Sequence, residues 1–151
     1  MGLAAAIALK TNGAKVIVVG RSSENCQKAE KILGHGSISL VGDATNPETI
    51  QRAIQITQET FGFITGLFHV AGGSGRKWGD GALDQLTLEG WNKTMELNLT
   101  SLMLSNQAII NYFLEQKKPG TILNMGSVLG YSPSPKYFTT HAYAAAKSPI
   151  I

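Results

Sequence analysis

The sequence predicts an α/β fold, a parallel sheet with helices on both faces, and three observations carry that prediction. Helix-like and strand-like stretches alternate along the chain, the strand-like runs are short and rich in valine and isoleucine, and no hairpin turn separates them. Seventeen glycines fall largely between the apolar runs, where strands must turn into helices. A length of 151 residues with 43% apolar content suits one domain spanning residues 1–151.

Taken in order, residues 2–11 read as a helix closed by Asn12-Gly13, because glycine just past a helix accepts the left-handed conformation that ends it. Lys15–Val19 is a strand. Ser22 or Ser23 caps a second helix, whose buried face is Cys26, Ala29, Ile32 and Leu33 and which stops before Gly34. Ile38–Val41 is the next strand. Asn46-Pro47-Glu48 opens a third helix: the Asn side chain caps, proline suits the first turn and glutamate complements the helix dipole. Its inward face is Ile50, Ile54, Thr57 and Phe61, and Gly62 ends it. Leu67–Ala71 is a short strand that runs into Gly72-Gly73-Ser74-Gly75. Thr87 begins the longest helical stretch, to about Leu114, with Trp91, Met95, Asn98, Leu102 and Ile109 facing inward. Thr121–Met125 is a further strand, and helical signal resumes near His141.

Composition narrows the function classes. Thirteen basic and ten acidic residues give a net charge of +3, and the basic residues are scattered, as on a solvated surface and not as a nucleic-acid footprint. The single cysteine, Cys26, shares a helical face with Ala29 and Leu33 and has no metal-ligand spacing around it. That points to a structural thiol in a reducing compartment, the cytoplasm, with no bound metal. The apolar opening residues have no basic residue before them and no cleavage site after them, so they do not read as a secretory signal. No apolar run approaches the ~20 residues that span a bilayer, so no membrane partner is expected.

Three places carry chemistry. In Tyr143-Ala144-Ala145-Ala146-Lys147 the first and last residues stand one helical turn apart on one face. An isolated phenol titrates at about pH 10, too high for proton transfer near neutrality. At ~6 Å and an effective dielectric of ~20, one lysine charge favours the phenolate by about 2.8 kcal/mol. That falls short of neutrality, and the second positive charge of an oxidised nicotinamide would complete the shift. The strand Thr121–Met125 ends in Gly126-Ser127, which puts a hydroxyl at the carboxyl edge of a parallel sheet, where such folds bind ligands. Ser127 could there stabilise charge on a carbonyl oxygen, or simply close a turn. Asn98 places an amide in an inward stripe, a costly position unless the amide is hydrogen-bonded.

These residues together resemble the short-chain dehydrogenase/reductase family. Gly126-Ser127, Tyr143-x-x-x-Lys147 and Asn98-Leu99-Thr100 match its catalytic serine, tyrosine, lysine and asparagine. Val70-Ala71-Gly72-Gly73 ends a strand as the family's Asn-Asn-Ala-Gly motif does, and Gly42-Asp43-Ala44 resembles its adenine-contacting Asp-Val step. The similarity covers essentially the whole chain. It implies a Rossmann-type, doubly wound parallel sheet and an oxidoreductase that moves hydride between a nicotinamide cofactor and a carbonyl or alcohol. In that reading Tyr143 is the general acid or base, Lys147 favours its phenolate and holds the nicotinamide ribose, Ser127 positions the substrate oxygen and Asn98 holds a water of the proton relay. Cofactor contacts fall to Gly2, Arg21, Ser22, Asp43, Ala44, Val70, Ala71, Gly72, Tyr143 and Lys147. Family members of this kind suggest a homodimer or homotetramer.

The resemblance also locates departures. Gly2 corresponds only to the last glycine of the family's Thr-Gly-x-x-x-Gly-x-Gly loop, so the chain reads as incomplete at both ends, without the first strand, most of that loop and the C-terminal part. In the family order 3-2-1-4-5-6-7 that strand lies between the strands at Lys15–Val19 and Leu67–Ala71. His69-Val70 replaces the paired asparagines, and His69 reads as a strand residue and not a catalytic one. The interval from Ser127 to Tyr143 is long, and its Tyr131-Ser132-Pro133-Ser134-Pro135 segment borders the substrate side. Tyr137 is a decoy, since His141 four positions later supplies no permanent charge. Where NAD-preferring relatives carry an acid this chain has Gly20, followed by Arg21, which favours NADP(H) over NAD(H). The alternatives are a catalytically silent Rossmann-type binding protein or an inactive truncated product, and, less favoured, a sugar-nucleotide epimerase or dehydratase.

Overall fold

Polar caps and glycines set most element boundaries in this computed structural model, which describes residues 1–151. In chain order the elements are α1 (Gly2–Thr11), β1 (Val16–Gly20), α2 (Ser23–Leu33), β2 (Ser37–Val41), α3 (Pro47–Phe61), β3 (Gly66–His69), α4 (Leu88–Met95), α5 (Ser101–Gln116), β4 (Thr121–Asn124) and α6 (His141–Lys147). A π-helical turn, Glu96–Thr100, joins α4 to α5. The strands pair in two ladders, β1 with β2 and β3 with β4. The chain divides into two units, Met1–Gly66 with Ala108–Thr121, and Leu67–Gln107 with Ile122–Ile151.

In the first unit β1 and β2 run parallel, from Val16 opposite Ser37 to Gly20 opposite Val41. Ser22 caps α2 by accepting the Asn25 amide at 3.2 Å, and Asn46 caps α3 by accepting the Glu48 amide at 3.0 Å. Gly34 (φ +65°) and Gly62 (φ +85°) end those helices in the left-handed region where a side chain would be strained. Ala6, Cys26, Ala29, Leu33, Leu40, Ala53, Ile109 and Tyr112 are buried, and the Tyr112 hydroxyl is satisfied by the Ile64 amide at 3.1 Å. Ile32 departs from expectation, standing 59% exposed. At ~100° per residue it lies about a quarter turn from Leu33, outside the arc that Cys26, Ala29 and Leu33 share. On α3 the expected face of Ile50, Ile54, Thr57 and Phe61 is half-buried, and the helix's buried residue is Ala53, which that face did not include.

The second unit buries mostly polar groups. His69, Asp80, Thr94, Asn98, Ser101, Ser105, Thr140 and Lys147 are buried there, against Leu102, Ala142 and Ala146 among the apolar residues. Such an interior is stable only when its donors and acceptors are matched, which also locks side-chain positions. The Thr121 amide donates to the Thr65 carbonyl at 3.0 Å and the Met125 amide to the His69 carbonyl at 2.9 Å. The offset is the same at both ends, so β3 and β4 run parallel. The expected inward Trp91 is 36% exposed and Thr94 is buried in its stead. The π turn explains this, because its i→i+5 bonding inserts a residue and rotates the inward face of α4 relative to α5. Strand ends differ from expectation by one or two residues. Pro149 lies in a separate 3₁₀ turn, Ser148–Ile150, so α6 ends at Lys147.

Candidate active site

Asn98 sits inside the π turn and is fully buried. Its amide grips the backbone of one residue from both sides: Oδ1 accepts the Gly73 amide at 3.0 Å, while Nδ2 donates to the Gly73 carbonyl at 2.8 Å and also to the Thr94 carbonyl at 2.9 Å. The cost of an inward amide is thereby offset, and the loop after β3 is fastened to the helix. Gly72 (φ +154°) has no room for a side chain, since a Cβ would lie 2.6 Å from Asn98 Oδ1 and 3.4 Å from Lys147 Nζ. The Gly72 backbone, Asn98 and Lys147 therefore converge.

The short helix α6 presents Tyr143 and Lys147 on one face, with the Lys147 Nζ 5.9 Å from the Tyr143 ring centroid. Lys147 is 3% exposed and donates to the Met125 carbonyl at 2.9 Å. Burial holds its ammonium below the usual lysine range, because the charged form loses hydration. His69, the last residue of β3, lies near this charge. Its Nε2 is 3.4 Å from the Ser101 hydroxyl. Burial first and the Lys147 charge second push the imidazole below its ordinary value, against a smaller opposing hydrogen bond from the ring to the Ala71 backbone carbonyl. Both effects favour the neutral form of the ring.

Ser127 follows β4 and is half-buried. Its Oγ accepts the Leu129 amide at 3.3 Å and caps a 3₁₀ turn, Val128–Gly130. The turn-closing reading of this hydroxyl is the one observed, and a serine that accepts in a cap keeps its own O–H to donate. The turn packs on the end of α6, where a Cβ on Gly130 would lie 2.9 Å from the Lys147 carbonyl. Tyr137 is 68% exposed and apart from these contacts. Asp80, which the sequence did not flag, is buried and accepts the Ala142 and Tyr143 amides at 3.0 and 3.1 Å. Its signal was only an acid flanked by Gly79 and Gly81, and its partners lie far along the chain.

The remaining expected cofactor contacts lie at the carboxyl ends of strands or at a helix start. Arg21 and Ser22 follow β1; Asp43 and Ala44 follow β2, with Asp43 Oδ1 accepting both the amide and the hydroxyl of Thr45 at 2.9 Å. Val70 and Ala71 follow β3, and Gly2 opens α1, whose flanking Met1 supplies no side-chain cap. The carboxyl end of parallel strands is where α/β folds place ligands. No group of three or more His, Cys, Asp and Glu side chains is placed to hold a metal ion, and no helix is long and apolar enough to cross a membrane.

Comparison with known proteins gives a consistent picture. A family model described as short chain dehydrogenase matches residues 1–151. The chain is 33% identical, over its whole length, to 2-(S)-hydroxypropyl-CoM dehydrogenase 3 of Xanthobacter autotrophicus, of which it covers 57%. It is 32% identical, again over its whole length, to the 3-oxoacyl-acyl-carrier-protein reductase FabG of Vibrio cholerae, of which it covers 59%. The crystal structure of a short chain dehydrogenase from Bacillus anthracis superposes with a TM-score of 0.87 at 26% identity, over 99% of this chain and 60% of that one. The chain thus spans about three fifths of the length of these relatives.

Proposed function

The chain belongs to the short-chain dehydrogenase family, and from that premise we propose that it is the central part of an oxidoreductase interconverting a small carbonyl compound and its alcohol with NADP(H). The observation that carries this reading is the buried Lys147 standing 5.9 Å from the Tyr143 ring, beside the glycine backbone that Asn98 fastens. The residues present fit a nicotinamide nucleotide. Gly72 lets its backbone run against Asn98 and Lys147, where a Cβ would collide with Asn98 Oδ1, and Lys147 spends one of its three N–H donors on Met125, leaving two for ribose hydroxyls. The bound cofactor supplies or accepts the hydride.

In the reducing direction Tyr143 gives its phenolic proton to the substrate oxygen, and the Ser127 O–H donates a hydrogen bond to that oxygen as charge develops on it. Lys147 favours the phenolate that remains. Asn98 keeps the Gly72–Gly73 backbone in place with both amide hydrogens spent on carbonyls, so a relay water that returns a proton to Tyr143 would meet only its Oδ1. Arg21, with Gly20 where an acid would exclude it, takes the 2′-phosphate, while Ser22, Asp43 and Ala44 contact the adenosine half and the amides at Gly2 the pyrophosphate.

The direct test is Tyr143→Phe in the native protein. Turnover should be lost while cofactor binding persists, because only the proton donor is removed; retention of more than about a tenth of kcat sinks the assignment. Cofactor choice is tested separately. NADP(H) should give the higher kcat/KM, Arg21→Ala should erase the difference, and equal values for both cofactors in the unsubstituted protein count against the role of Arg21.

A further inference from the structure

Asp80 is buried, and a buried carboxylate persists only where strong hydrogen bonds replace its hydration. Here both oxygens are used on consecutive amides: Oδ1 accepts from Ala142 at 3.0 Å and Oδ2 from Tyr143 at 3.1 Å. Those amides belong to the first turn of α6, whose flanking Thr140 makes no side-chain cap. The helix is therefore capped from a distant loop, with a negative charge at its positive end. The neighbouring Gly81 carbonyl adds contacts to His141, from its amide at 3.3 Å and its Nδ1 at 2.9 Å.

That loop is itself fixed to α4. The Asp80 amide donates to the Gly75 carbonyl at 3.2 Å, the Thr87 amide to the Gly79 carbonyl at 3.1 Å, and the Thr87 hydroxyl to the Trp78 carbonyl at 2.8 Å. Gly90 of α4 lies so close to Gly79 and Asp80 that no Cβ fits between them. Since α4 leads directly into the turn that carries Asn98, the loop joins the frame of Asn98 to the start of α6. At the other end of α6, Lys147 is held by the Met125 carbonyl.

Resting on the oxidoreductase reading above, we infer that Asp80 is a positioning residue: its carboxylate holds the Tyr143 backbone and so sets where the phenol stands relative to Lys147 and Asn98. It touches neither substrate nor cofactor. Misplacing a reacting group by about 1 Å can cost on the order of a hundredfold in rate, so the effect should fall on turnover and not on cofactor affinity.

The test is Asp80→Asn in the native protein, read by amide hydrogen exchange and by kinetics. An amide of the same shape can accept only through its oxygen, so one of the two backbone N–H groups loses its partner. Exchange at Ala142 and Tyr143 should quicken while Thr94 and Ser101 keep their protection, and kcat should fall about ten- to a hundredfold with the cofactor Kd within about threefold. Unchanged exchange at Ala142 and Tyr143 overturns the proposal, as does faster exchange there with kcat intact. Loosening spread through α4 and α5 overturns it too, by making the role purely structural. Absence of turnover in the unsubstituted protein would instead sink the oxidoreductase reading, and the exchange measurement would still decide whether Asp80 holds Tyr143.

Discussion

Burial and the Lys147 charge both oppose protonation of His69 in the folded protein, and this gives a pH dependence of definite sign. In the unfolded chain the ring titrates near the ordinary histidine value of 6.5. As pH falls through that value the unfolded state takes up a proton that the folded state refuses, so stability is present above it and is lost progressively down to the folded pKa. Thermal melts between about pH 7.5 and about pH 5 should show a steeper loss for the native protein than for His69→Asn, which removes this titration. Identical slopes would show that the buried ring is not coupled to folding. At this scale the sequence made Tyr143, Lys147, Ser127 and Asn98 legible, because spacing and strand ends place them without knowledge of the fold. Asp80 was opaque, since the amides that define it sit beyond some sixty intervening residues.

Among the elements, caps were the most readable feature. Ser22 and Asn46 start helices where their side chains predict, because an N-cap depends on amides only two or three residues away. The face of the long helical stretch was misread at Trp91, as a single 3.6-residue period cannot register the extra residue of a π turn. Gly90 shows how tertiary contact overrides propensity in the same region. Replacing a helical glycine by alanine, where the backbone conformation suits both, ordinarily stabilises by about 0.4–1 kcal/mol. On α4 the new methyl group would collide with the backbone of Gly79 and Asp80, which cannot yield as a flexible side chain would. Gly90→Ala should therefore destabilise, by about 1–3 kcal/mol in urea unfolding, as overpacking does elsewhere. A stabilised variant would show that the loop at Gly79 and Asp80 moves freely.

For the molecule as a whole, the alternation of strands and helices gave the α/β class, whereas strand pairing needed the family order, because short strands carry no local record of their neighbours. With β1 paired only to β2 and β3 only to β4, each of the four strands has one edge without a strand partner. An exposed edge is a template for pairing with another chain, and a buried one leaves donors and acceptors unmet at about 1–3 kcal/mol each. Several such groups weigh heavily against a typical net stability of about 5–15 kcal/mol. Strand side chains that a doubly wound fold would cover are also bare, with Val19 44%, Val41 49% and Leu123 57% exposed. A polypeptide of these 151 residues alone should accordingly self-associate or melt without a cooperative transition, and show no NADP(H) binding by fluorescence titration. If the 151-residue polypeptide melts cooperatively and binds NADP(H) with micromolar affinity, the four strands suffice and this account of the open edges is wrong.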